Sequence, residues 1–237
     1  MNTFFGNKSP FPRPLKRFLR LLALFTVLLI TCSIVVGCKK QNAVDYYAFV
    51  SENRSNILLA EEDGFFLRVY AVEKEYPYLA DGVKRETTTR TEIYLTAPSG
   101  DKICNISFDI DGKSYGGEMS FDNVKTQYYF SCSVDATTLQ SLECNLRFGE
   151  TEKRLIAKTV KTENTLSPKQ ILQNLQKTEN ALFSSLTDEY GFAGEIYIRL
   201  IFEETPYYYV GVIDRNGNIT AFLLSAETGK ILAKRQP

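Results

Sequence analysis

Three consecutive tyrosines, Tyr207, Tyr208 and Tyr209, and a fourth at Tyr197 form the densest group of side chains able to hold a ligand. Successive residues of a strand point to opposite faces, so Tyr208 is expected to face one way and Tyr207 and Tyr209 the other. One side must pack on a core. The other, with Tyr197, makes a candidate ligand face on which a sugar or a peptide could stack; half-buried packing tyrosines are the alternative use of the same residues. The second chemical group is the thiol. Cys38 closes an uncharged apolar run, Leu21–Val36. Cys104 is in step with Ile106, Phe108 and Ile110, Cys132 with Tyr128, Phe130 and Val134, and Cys144 with Leu142, Leu146 and Phe148. That period of two puts each thiol on the buried face of a strand, where cysteine acts as a small hydrophobe. One disulfide with one free thiol is the alternative, and the spacings match no zinc motif.

The chain contains no histidine and no tryptophan. Without imidazole there is no Ser-His-Asp or Cys-His pair and no histidine metal ligand, though carboxylate, lysine or tyrosine chemistry remains open. Asp109, Asp111 and Asp122 lack the spacing of a calcium loop, because Gly112 comes too early. Ser99 and Lys102 make the body's one S-x-x-K, but Pro98 before it and Gly100 inside it read as a turn. There is no P-loop, nucleophile elbow or dinucleotide fingerprint. These residues predict a non-enzymatic protein with no catalytic residue, no cofactor and no metal; a His-independent hydrolase is the remaining catalytic reading.

The elements that must position these residues are mostly strands, as a body rich in Tyr, Phe, Thr, Val and Ile favours. A short helix is expected within Val44–Leu59. Strands follow over Phe65–Val72, Thr87–Thr96, Ile103–Ile110, Ser114–Phe121, Gln127–Val134, Leu142–Phe148 and Arg154–Val160, each bounded by turn residues. Asp111-Gly112 signals a two-residue hairpin, and Gly116-Gly117 a bulge. The spacing suggests an antiparallel sandwich, resembling an immunoglobulin-like module in architecture only, since no tryptophan is present. After a polar stretch near 161–167, Ser167, Pro168 and Gln170 announce a helix with a capping box. Its stripe is Ile171, Leu172, Leu175, Leu182 and Leu186, and Tyr190-Gly191 ends it. Four more strands complete the chain.

The N-terminal segment reads as an address. Its first twenty residues hold Lys8, Arg13, Lys16, Arg17 and Arg20 and no acid. A basic stretch followed by an apolar run too short to span a bilayer is the order of a secretory signal; an uncleaved anchor helix is the alternative. Val35-Val36-Gly37-Cys38, followed by Lys39-Lys40, resembles a bacterial lipobox. The resemblance implies a prolipoprotein whose signal, residues 1–37, is removed and whose Cys38 carries the lipid. A tether of residues 38–43 would then hang the body from the extracytoplasmic face of a cell membrane. The 28 basic and 28 acidic residues of the whole chain become 23 and 28 without the signal. A body of net charge near −5 lacks the basic face that nucleic acid requires, so no nucleic acid partner is expected.

Residues Tyr209–Asp214, Gly217 and Ala226–Leu232 resemble the end of a PepSY-type module, a helix followed by an antiparallel sheet with an acidic-Thr-Gly turn before the last strand. That resemblance, over about 167–235, implies a cell-envelope binding or regulatory module. The expectation is therefore a mainly β (α+β) protein: a β-sandwich-like part over 44–162, then a helix plus small antiparallel sheet over 163–237. Its partners would be the membrane, through Cys38, and an envelope protein or peptide; a solute or glycan taken on the tyrosine face is the second reading.

Overall fold

The computed structural model describes residues 44–100 and 102–237, so the signal-like segment, Cys38 and the tether lie outside the described residues. Val44–Pro237 form one compact unit. Its strands are β1 (Val50–Glu62), β2 (Phe65–Glu75), β3 (Thr87–Thr96), β4 (Cys104–Ile110), β5 (Lys113–Glu118), β6 (Ser120–Asp122), β7 (Gln127–Cys132), β8 (Ser141–Phe148) and β9 (Thr151–Thr159). The helices α1 (Pro168–Thr178) and α2 (Asn180–Ser185) follow. A minor hairpin, β10 (Thr187–Asp188) and β11 (Gly191–Phe192), precedes β12 (Gly194–Phe202), β13 (Pro206–Asp214), β14 (Ile219–Ser225) and β15 (Ile231–Arg235).

The mainly β fold expected from the composition is the fold the chain adopts. Through shared ladders the strands run β5-β4-β8-β9-β1-β2-β3-β7-β6, a sheet that curls into a near-barrel. Its two halves face one another across the first core as the layers of a sandwich do. Leu67, Val69, Ile93 and Leu95 meet Ile106, Phe108, Leu146 and Leu155 there. The edges of Phe65 and Tyr128 lie on Phe148, with ring centroids 5.5 and 5.8 Å apart. A branch, β12-β13-β14-β15, leaves the same sheet at β1.

The second core lies between that branch and the helices. Ser167 accepts a hydrogen bond from the Gln170 N–H, and Gln170 accepts one from the Ser167 N–H in return. Ile171, Leu172 and Leu175 then bury against Ile196, Ile198, Tyr208, Val210 and Phe222. The helix does not continue as one stripe to Leu186. It breaks at Glu179, and the new direction sends Phe183 into the core while Leu182 and Leu186 stay half-buried. Phe183 sits 4.9 Å from the Tyr46 ring, edge to face.

Two further local expectations fail for identifiable reasons. The helix expected within 44–59 is one turn of 3-10 helix, Tyr46–Phe49, and then the longest strand among the described residues. β1 is central, bonded on both sides, and its buried polar side chains find partners inside the protein: Ser51 and Glu52 on β12, Asn53 on Tyr47, Ser55 on Thr137, and Asn56 on the Ala136 and Leu139 carbonyls and on β9. Gly116 and Gly117 also make no bulge, since β4 and β5 pair in unbroken register. A Cβ on Gly116 would stand 2.3 Å from the Ile106 carbonyl oxygen, so close approach is what this position requires. Asp111 and Gly112 do form the tight hairpin, both with positive φ.

Candidate functional site

β1 pairs in parallel with β12, with Glu52 opposite Tyr197 and Arg54 opposite Arg199, and antiparallel with β2. Opposed residues share a face. One side of the sheet therefore collects the tyrosines and arginines of β13, β12, β1, β2, β3 and β7, opposite the helices. Tyr208 points to the helix side, where it is buried and its hydroxyl donates to the Leu166 carbonyl at 3.0 Å. Tyr207 and Tyr209 are half-buried on the tyrosine–arginine side.

The structure brings Tyr197 and Tyr209 together, with ring centroids 5.7 Å apart. Tyr197 is only 5 % exposed, so it is the floor of this face rather than an open platform. Its ring fills the space above Gly211, where a Cβ would lie 2.1 Å from its Cζ. Arg199 covers the ring from 4.5 Å, and Glu52 grips Arg199 in a two-point pair, Nε to Oε1 at 2.9 Å and Nη2 to Oε2 at 2.5 Å. Burial, followed by the hydrogen bond with Tyr209, holds the Tyr197 hydroxyl above the usual phenol range. It is not a base.

Beside this pair lies a buried carboxylate. Glu195 is fully buried and accepts from the Ser51 hydroxyl at 3.3 Å and from the Tyr78 hydroxyl at 3.4 Å, both on Oε1. Its Oε2 has no hydrogen-bond partner. Burial, and next the charge of Glu75, push its carboxyl above the ordinary value. Glu75, 1 % exposed, accepts from the Arg85 N–H. The segment between β2 and β3 thus folds back over the face and is latched to it by Tyr78 and Arg85.

Further along, the face carries an aromatic ladder that sequence reasoning missed. The Arg54 guanidinium lies 4.3 Å from the Tyr70 ring centroid, Tyr70 is 5.5 Å from Tyr94, and Tyr94 is 5.0 Å from Tyr129. Arg68 lies over Phe66 at 5.3 Å and donates from Nη2 to Gln127 at 2.9 Å. The available signal was the alternation of Phe66, Arg68 and Tyr70 with the buried Leu67, Val69 and Ala71. Where β1 and β12 part, this side opens a groove of about 660 Å³ lined by residues of β1, β2 and β12.

The remaining sequence candidates are scattered. Cys104 and Cys144 are buried and Cys132 is half-buried, and all three are free thiols. Burial raises the Cys104 thiol to about 11; burial, with the Glu143 charge, raises Cys144 to about 12. Neither is a nucleophile at neutral pH. Asp109 accepts from Ser114, and Asp122 caps the turn at Val124 and Lys125. No group of three metal-ligating side chains occurs among the described residues. No helix among them is long and apolar enough to cross a membrane. No protein-family model matches the chain, and no curated protein or solved structure matches it at a significant level.

Proposed function

We propose that this chain is a lipid-anchored cell-envelope protein that binds a ligand or partner without transforming it. The observation that carries the binding half is the tyrosine–arginine face: rings and guanidiniums held in place by one another, with Tyr207 and Tyr209 at its half-exposed end. Rigid aromatic and arginine side chains lose little freedom on contact and dominate recognition surfaces. The anchoring half rests on the lipobox-like Val35–Cys38 alone. Two acyl chains on Cys38, at about 0.8 kcal/mol for each buried methylene, give stable attachment, and Lys39 and Lys40 add attraction to anionic headgroups.

The PepSY-like reading of the C-terminal part is consistent with α1 lying on β12–β14 and with the Glu227-Thr228-Gly229 turn before β15. Gly229 there has φ +68 and abuts Asn174 of α1. It favours a regulatory role toward an envelope protein or peptide. The groove favours the second reading, a solute or glycan. The test is crosslinking and co-purification from intact cells, with Cys38→Ala as the control. A specific envelope partner that is lost or weakened with the anchor supports the regulatory role. Acylated Cys38 with no partner leaves the small-ligand role, and an unacylated Cys38 refutes the anchor.

A further inference from the structure

β1 and β12 pair only as far as Arg54 and Arg199. A bulge between Arg54 and Asn56 then turns β1 toward β9, which pairs it at Leu58 and Leu59, while β12 runs on to Phe202. The groove of about 660 Å³ sits in this fork, within the size range of small-molecule sites. Its apolar wall is made by Leu59, Phe66, Tyr70, Ile201 and Phe202.

Two cations share that wall, Arg54 and Arg68. Among the described residues neither has a carboxylate within ion-pair distance, although seven other arginine or lysine side chains of the unit, including Arg199, do. The Arg54 side chain makes no hydrogen bond among the described residues and stacks on the Tyr70 ring. Arg68 makes one, to Gln127. The Nε atoms of both are buried and without a partner. Both side chains are half-buried: the Nε of each is withdrawn from water, at a cost, while the terminal nitrogens not held by Gln127 still reach solvent and have no acid partner. Stacking recovers part of that cost and fixes the plane of the fork of donors. What such a group lacks is a carboxylate, taken two-pronged. Glu61 and Glu203 also line the groove but are exposed and pair with neither arginine. They would repel a ligand carrying several negative charges while tolerating one whose single charge lies deep.

We propose that the fork between β1 and β12 binds an amphipathic organic monocarboxylate of acyl or aryl type, its carboxylate on Arg54 with Arg68 beside it and its apolar body against Phe66, Leu59 and Ile201. The inference rests on the reading of the chain as a binding protein and is independent of the anchor. The probe is 4-phenylbutyrate, titrated calorimetrically into the full chain in phosphatidylcholine nanodiscs, with empty nanodiscs as the blank. Saturable binding is expected. The neutral analogue 4-phenylbutyramide should bind roughly tenfold more weakly or worse, as should the Arg54→Gln variant. Arg147→Gln, on the distant β8, should leave binding unchanged. Ile201→Trp fills the groove and keeps both guanidiniums, so it should abolish binding too; it decides the question if Arg54→Gln does not fold. No saturation up to about 10 mM, equal binding of the amide, or binding indifferent to Ile201→Trp overturns the proposal. Inorganic phosphate competing as well as the probe overturns the apolar half of it. A failed titration alongside a recovered envelope partner sinks this ligand class and leaves the binding-protein reading standing.

Discussion

Gly211→Ala should destabilise the protein, and the reason is one side chain. In an unobstructed strand, replacing glycine by alanine stabilises by about 0.4–1 kcal/mol, because the unfolded chain loses freedom. At Gly211 the added Cβ would stand 2.1, 2.3 and 2.4 Å from Cζ, Cε1 and Oη of Tyr197. Carbon atoms in contact sit about 3.5–4.0 Å apart, so the ring must retreat by more than an ångström. It has nowhere to go. Arg199 lies 4.5 Å above it, anchored on Glu52 at two points, and Tyr209 flanks it. Overpacking of this kind costs about 1–3 kcal/mol, equivalent to a fall of roughly 2–12 °C in Tm for a unit of this size. Thermal unfolding followed by circular dichroism measures it. In a double-mutant cycle Tyr197→Leu should absorb most of the penalty, giving a coupling of about 0.5–3 kcal/mol. A Gly211→Ala variant as stable as the parent, or more so, would refute the claim that Tyr197 is wedged in place and with it the rigidity of the face.

Three further outcomes follow from buried groups. Because the folded Glu195 carboxyl is raised above its ordinary value, it holds its proton more tightly folded than unfolded; its contribution to stability is full below the unfolded value and is lost as pH rises through the folded one. Glu195→Gln should therefore be more stable than the parent at pH 7, with the difference gone by about pH 4 in urea titrations; a variant less stable at pH 7 contradicts this. Asn56, 1 % exposed, donates to the Ala136 and Leu139 carbonyls and accepts from the Ile57 N–H and the Thr159 hydroxyl. Asn56→Ala should cost about 3 kcal/mol or more through the groups it orphans, and a Tm loss below about 2 °C would show that water replaces them. Finally, Cys104 and Cys144 should resist alkylation in the native protein at pH 7.5 and react, with Cys132, once unfolded. Mass spectrometry that finds only one of these three alkylated after unfolding without reductant would mean a disulfide links two of them.

How much of this was legible in the sequence depended on how local the cause was. The capping box at Ser167 and Gln170, the Asp111-Gly112 hairpin and the alternation that buries Cys104 and Cys144 are written within a few residues, and each is present. Tyr208 facing one way and Tyr209 the other is equally local. β1 was not legible, because hydrophobic periodicity is the main strand signal and Ser51, Glu52, Asn53, Ser55 and Asn56 are buried polar residues. Their partners lie far off in the chain: Glu52 meets Arg199 across 147 positions, and Asn56 meets Ala136 across 80. The groove was invisible for the same reason. Phe66, Arg68 and Tyr70 announce a polar aromatic face, but nothing near them says that β12 will be its other wall.

The polarity of β1 also accounts for where it sits. An apolar strand could pair in several registers with similar gain, whereas a polar one is tolerable in the interior only where each group finds its match. Ser51 meets Glu195, Glu52 meets Arg199, the Asn53 Nδ2 meets the Tyr47 hydroxyl, and Ser55 meets Thr137; of these β1 side chains only the Asn53 Oδ1 is left without a partner among the described residues. Each of these contacts is lost if the strand slips by one residue. The strand that carries them belongs to both cores, with Val50 and Ile57 in the second and Leu58 in the first. Fixing its register therefore fixes both cores relative to one sheet. The bulge between Arg54 and Asn56 comes shortly before the handover from the second core at Ile57 to the first at Leu58, and Arg54 lies there stacked on Tyr70 beside the fork without an acid partner. The same residues that lock the strand in place thus set the one cation on it that is free to take a ligand's charge.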